Sequence, residues 1–228
     1  MRALMAAVLL LCGCGRRPEE RLEALFDAAS DDFHAGELAK AQLAAEHGIS
    51  VAASRRDFLY QWKFRLLRCD ILLNSRRAEE VLNQLGALPP APQFAALTAR
   101  KMAMEGRAIS MLGRVDEGES LLGAAHRAAE AAKAEDVLLE IETIQGLRLL
   151  RRQHYDEAEV ALRAALARAR ALHSAYSEAG VQVNLGLSRL LRLRYDDAIP
   201  YFEKAAALAG PQSRTLYSVA RINLAMCF

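Results

Sequence analysis

From Arg21 to Phe228, apolar residues recur at three- and four-residue spacing, with no sustained apolar-polar alternation. That period is the signature of amphipathic helices, so the chain is expected to be helical throughout, without strands. Helix-breaking residues come at intervals: Gly36, the Pro89-Pro90-Ala91-Pro92 stretch and Gly210-Pro211. Ahead of the periodic region, Arg2 precedes an apolar run from Ala3 to Leu11. Nine residues fall far short of the ~20 that a helix needs to span a bilayer.

The helical pattern repeats itself. Leu66, Gly106, Gly146 and Gly186 are each 40 residues apart, and the same step relates Ala78, Gly118, Ala158 and Ala198. It also relates Leu82, Leu122, Leu162 and Phe202, and Leu85, Ala125, Ala165 and Ala205. Val115, Tyr155 and Tyr195 follow it, each with an acidic pair behind: Asp116-Glu117, Asp156-Glu157 and Asp196-Asp197. Several columns holding one register identify a repeat array, in which each unit buries its apolar face against the next. A small residue in a first helix and another twelve residues on let two antiparallel helices cross closely. A large apolar residue follows in the second helix, with a small one after it. The acidic pairs are expected to start this second helix, capping free N–H groups and favouring its dipole.

These residues resemble the tetratricopeptide repeat. The fullest copy is Leu185-Gly186, Tyr195-Asp196-Asp197-Ala198, Phe202 and Ala205, and Trp62 falls where that family often carries tryptophan. The period of 40 is similar to the longer-helix variant found in kinesin light chains and bacterial signalling proteins. HEAT and armadillo repeats share the period without the glycine-alanine-aromatic spacing. The resemblance implies an all-α, right-handed α-solenoid of antiparallel helix pairs, with about five repeats and the first helix of a sixth. A degenerate first copy runs from Leu25 through Gly36-Glu37-Leu38 to Ala41 and Ala45, placed 37 residues before the second copy at the alanine column. The second copy departs from the pattern at Leu66 and Leu85, where small residues are expected. Pro200 falls near the start of a helix, where a missing N–H costs little.

Residues 1–20 form a separate segment. The apolar run ends in Leu11-Cys12-Gly13-Cys14, which resembles a bacterial lipobox with Cys14 as the lipidated residue. An ordinary signal peptide cut near Gly13 or Gly15, and a buried apolar N-terminal helix, are the other readings of the same residues. The lipobox reading makes the protein exported and membrane-anchored, with residues 21–228 as the folded unit. Cys69 and Cys227 then remain, and their separation along a solenoid is too great for a disulfide.

Composition narrows the function. The chain has 30 Lys+Arg against 28 Asp+Glu, so it carries no strongly basic footprint for nucleic acid. Walker, HExxH, GxSxG, paired CxxC and Rossmann patterns do not occur in the sequence, and the five histidines are scattered. His154, beside Tyr155 and Asp156, is expected in a solvated interhelical turn, and Arg168 on a solvated helix face. The residues indicate neither a cofactor nor an enzyme.

The remaining candidate site is the concave face, lined in the tetratricopeptide family by each repeat's first helix. The resemblance places Lys63, Phe64 and Leu67 there in the second repeat, and Arg100, Met104, Arg107 and Met111 in the third. The fourth contributes Ile144, Leu147 and Arg151, and the fifth Asn184, Leu187 and Leu191. Asn184 resembles the groove asparagine that bonds a peptide backbone. The competing reading makes Phe64, Met104 and Ile144 inter-repeat core, with Asn184 paired locally. A mostly apolar groove with Lys63, Arg107 and Arg151 suits an amphipathic partner segment carrying acidic residues. The leading expectation is therefore a protein-binding scaffold without catalytic activity. The long repeats also resemble the region preceding caspase-like CHAT protease domains in bacteria, which implies a regulatory arm of a larger enzyme; a structural assembly lipoprotein is a third expectation. The segment from Ser213 to Phe228 begins another first helix without its partner, which suggests a fragment of a longer protein.

Overall fold

The structure is a computed structural model that describes residues 18–85, 92–210 and 213–228. The lipobox residues lie outside the described residues. Eleven α-helices account for nearly all of the described chain: α1 (Pro18–His34), α2 (Leu38–Ser54), α3 (Phe58–Asn74), α4 (Ala78–Gln84), α5 (Ala95–Met111), α6 (Val115–Ala132), α7 (Glu135–Arg151), α8 (Tyr155–Ala171), α9 (Ala175–Leu191), α10 (Tyr195–Ala209) and α11 (Arg214–Ala225). A short 3-10 turn, Pro92–Phe94, leads into α5. Each helix packs mainly on its neighbours in sequence, so the molecule is an all-α solenoid of helix pairs.

The 40-residue repeat has a simpler basis in a helix that begins every 20 residues, at 18, 38, 58 and 78 and again from 95 to 195. Eight of the eleven helices, α1–α3 and α5–α9, are closed by the same turn. Residues 36, 56, 76, 113, 133, 153, 173 and 193 all have positive φ. The next residue's N–H then reaches back five positions, as in Glu37 to Asp32 (2.9 Å) and His154 to Leu149 (2.9 Å). This Schellman pattern satisfies orphan carbonyls and reverses the chain in three residues. Only Gly36 and Gly113 of these eight positions carry the residue that the left-handed conformation favours, so composition conceals the period.

The helix starts correct the repeat alignment. Helices α3 and α5 begin 37 residues apart, as do α4 and α6, whereas the other equivalent helices from α1 to α10 begin 40 apart. The three-residue step therefore lies across the proline-rich segment between the second and third pairs, not between the first and second. In this register the counterpart of Gly106, Gly146 and Gly186 is Cys69, not Leu66. The counterpart of Leu122, Leu162 and Phe202 is Leu85. Cys69 and Leu85 are both fully buried, so the second pair has the small and large residues that the repeat requires. In α2 the same inward positions hold Ala41, Ala45, Gly48 and Ala52, matching Gly118, Leu122, Ala125 and Ala129 in α6. Cys69 and Cys227 are free thiols, and burial pushes Cys69 up to about 12.

The small column works by admitting its partner. A Cβ at Gly146 would stand 2.5 Å from Leu162 Cγ, and one at Gly186 would stand 2.6 Å from Phe202 Cε1. Core clusters follow one another along the coil, each bridging adjacent helices. The acidic pairs begin the second helices, where they favour the dipole, but their side chains do not cap N–H groups. The second acid of each pair instead bonds the side chain three residues before it: Arg77 with Glu80, Arg114 with Glu117 (2.6 Å), His154 with Glu157 (3.1 Å) and Arg194 with Asp197 (2.5 Å). Pro200 is the sixth residue of α10, in its second turn and not at its start.

The coil bends until its ends meet. The His34 ring at the end of α1 stacks on Tyr176 at the start of α9, with centroids 3.9 Å apart and planes at 23°. Beside it, Thr215 of α11 lies against Gly36, and Arg214 approaches Glu37 at 3.9 Å. The concave face consequently encloses a lumen.

Candidate functional site

The lumen has a volume of about 1340 Å³ and is walled chiefly by α3, α5, α7 and α9, with His34 at one edge. These helices turn the same positions inward because they share one 20-residue register. Apolar wall comes from Met111, Ile144, Leu147 and Leu187, and polar wall from Asn184, Thr143 and Ser177.

Of the residues expected at the groove, Arg107, Ile144, Arg151, Asn184 and Leu187 line the lumen, as do Arg100, Met111 and Leu147. Phe64 and Met104 do not. Both are fully buried, with Phe64 packed edge-on to Phe26 at 5.4 Å and Met104 in the core shared by α3 and α4. Leu67 is core as well. Lys63 is half-buried away from the lumen, its Nζ over the rings of Tyr60 (4.7 Å) and Phe26 (5.7 Å). Leu191 lines a smaller neighbouring hollow. Phe64 and Leu67 failed because a step of 40 set them against Met104 and Arg107 where the chain steps by 37; the counterparts of Arg107 and Met111 that line the lumen are Asp70 and Asn74.

Sequence reasoning missed the charged cluster at one end of the lumen. Arg100 lies 3.1 Å from Asp70 and 3.3 Å from Glu140, joining α3, α5 and α7, and Asp136 lines the same wall. Burial works against the Arg100 charge, but Glu140 and Asp70 more than offset it and hold the guanidinium protonated. Burial, reinforced by the Asp70 carboxylate, pushes Glu140 up to about 7 despite Arg100 and Arg107. Glu140 Oε1 is sealed from solvent without a hydrogen-bond partner. Burial lowers His34 and raises Tyr176, and both groups feel Asp70. The available signal was a lone charge inside an apolar run, as in Cys69-Asp70-Ile71 and Leu139-Glu140-Ile141.

The opposite polarity comes from Arg107 and Arg151, which make no ion pair among the described residues, whereas Arg148 is held by Glu119. Asn184 is 9% exposed and makes no side-chain hydrogen bond among the described residues. His154 is in a turn and half-exposed. Arg168, expected to be solvated, pairs with Glu142 at 3.0 Å and with Glu135.

Among the described residues no cluster of His, Cys, Asp or Glu could hold a metal ion, and no helix is long and apolar enough to cross a membrane. No protein-family model matches the chain, and a search of curated proteins finds no match.

Proposed function

We propose that the protein is a tetratricopeptide-type interaction scaffold without catalytic activity, which holds a segment of a partner protein in the lumen of its coil. The observation that carries this reading is the lumen wall, where free Arg107 and Arg151 stand beside Ile144, Leu147 and Leu187. Apolar wall with unpaired guanidinium groups complements an amphipathic segment bearing carboxylates. At about 1340 Å³ the space exceeds the ~300–1,000 Å³ of ordinary small-molecule pockets, which favours a chain segment. Asn184, which lines the lumen and makes no side-chain hydrogen bond among the described residues, would gain a partner in a peptide backbone. The leader residues support export and anchoring through a lipid on Cys14, since several acyl chains hold a protein at a membrane where one is marginal.

The test has two arms. A panel of amphipathic acidic peptides should bind the full chain, and Arg107→Glu should weaken the best of them about tenfold or more with an unchanged thermal melt. Equal binding by the variant would sink the groove reading. Metabolic labelling with a fatty-acid analogue should mark the wild type and not Cys14→Ser; a labelled, membrane-bound variant would sink the anchor.

A further inference from the structure

One end of the lumen is short of positive charge. Asp70, Asp136 and Glu140 converge there, and Arg100 is the one guanidinium in ion-pair contact with them among the described residues. Arg107 acts on Glu140 only from farther off. The wall also has a recess at this level. Lys63, Arg100, Glu140 and Gly180 occupy equivalent positions in α3, α5, α7 and α9, so the fourth helix contributes no side chain. Nothing lies within 4 Å of where a Gly180 Cβ would stand. Glu140 Oε1 and Arg100 Nε on this wall are sealed without hydrogen-bond partners. The Asn184 amide, one turn along from Gly180 and facing the lumen in a residue only 9% exposed, makes no side-chain hydrogen bond among the described residues. A buried acceptor without a donor is costly, and a carboxylate pays most.

We propose that this recess, bounded by Glu140, Asp70, Asp136, Gly180 and Asn184, is a binding pocket for the guanidinium or ammonium group of a basic side chain on the partner segment. The inference rests on the reading that the lumen takes such a segment. It adds that the segment carries a basic residue at this end as well as carboxylates toward Arg107 and Arg151. A planar guanidinium offers enough donors to serve Glu140 Oε1 and the Asn184 carbonyl together, and its charge balances the surplus carboxylate.

The probe is acetyl-arginine amide, titrated calorimetrically into the full chain at neutral pH, with acetyl-citrulline amide as the neutral isostere and spermidine as a free polycation. The arginine amide should bind measurably and the citrulline amide should not. Binding should fall about tenfold or more in Glu140→Gln and in Gly180→Leu. Both variants should fold, since one removes a charge from a crowded carboxylate group and the other fills open space on a helix. Binding near pH 7 should also release protons, because a cation favours ionised Glu140, and buffers of different ionisation enthalpy read this directly. Equal binding of the citrulline amide, no binding of the arginine amide, or binding of spermidine alone would overturn the proposal. Acidic peptides that still bind through Arg107 while the arginine amide fails would confine the failure to this pocket.

Discussion

Leu193 is held at φ +58° in the turn between α9 and α10, with 72% of its surface exposed. A branched side chain there pays the left-handed steric cost and gains no burial. Leu193→Gly should therefore stabilise the fold by about 0.5–1 kcal/mol, the steric relief less the entropy that glycine adds to the unfolded chain. Chemical denaturation would show it as a higher midpoint with unchanged slope, and a lower midpoint would contradict the turn geometry. Arg56, Arg76, Lys133, Gln153 and His173 share this backbone state. None of them announces a turn, so Gly36 was legible as a breaker and these were not. What forces the turns is the burial of the helices on either side, which outweighs the local preference of each residue.

At the scale of the element, the close crossing of first and second helices is the feature the sequence displayed best. Gly146 and Leu162 were in their columns, and the structure brings them together. Gly146→Leu should cost about 1–3 kcal/mol or more, because the new side chain must displace Leu162. Ala167→Leu on the exposed face of α8 should be nearly neutral, whereas Arg168 is no control, since it ties α8 to α7. Thermal melting of the two variants decides the matter, and equal losses would refute the register. The second pair was misread for a definite reason. Leu66 and Leu85 are apolar and buried, so a frame fixed at 40 still found plausible side chains in wrong columns. Only the positions of the helix starts expose the step of 37. Phe64 and Leu67 entered the candidate site through that frame, set against Met104 and Arg107, and Asp70 was left out of it.

The curvature of the whole molecule was not legible at all, because it depends on small rotations between pairs and on contacts between residues far apart in sequence. His34 and Tyr176 are separated by well over a hundred residues, and neither is apolar enough to mark a core. Their stack joins the first pair to the fifth, and it makes closure sensitive to acid. His34 is faced by Phe33 and Asp31 on its own helix, by Tyr176 of α9, and electrostatically by Asp70 of α3 and Arg100 of α5. Burial is the dominant influence and lowers its proton affinity below the ordinary value of 6.5, with the two carboxylates only partly compensating. The sign follows from linkage. Above 6.5 the ring is neutral whether the seam is open or closed, and closure is unaffected. As the pH falls below 6.5, an opened, hydrated His34 takes up a proton that the closed seam resists. The open form gains until the closed form titrates too, and then the difference stays constant. Small-angle scattering should accordingly show the coil loosening as the pH falls below 6.5, with a larger radius of gyration. Glu140, pushed up to about 7, titrates in the same region, so the decisive comparison is His34→Gln. That side chain cannot be protonated, and its variant should lose the loosening specific to the wild type. A wild-type radius that stays constant as the pH falls, or a variant that expands to the same extent, would show that His34 does not control the seam.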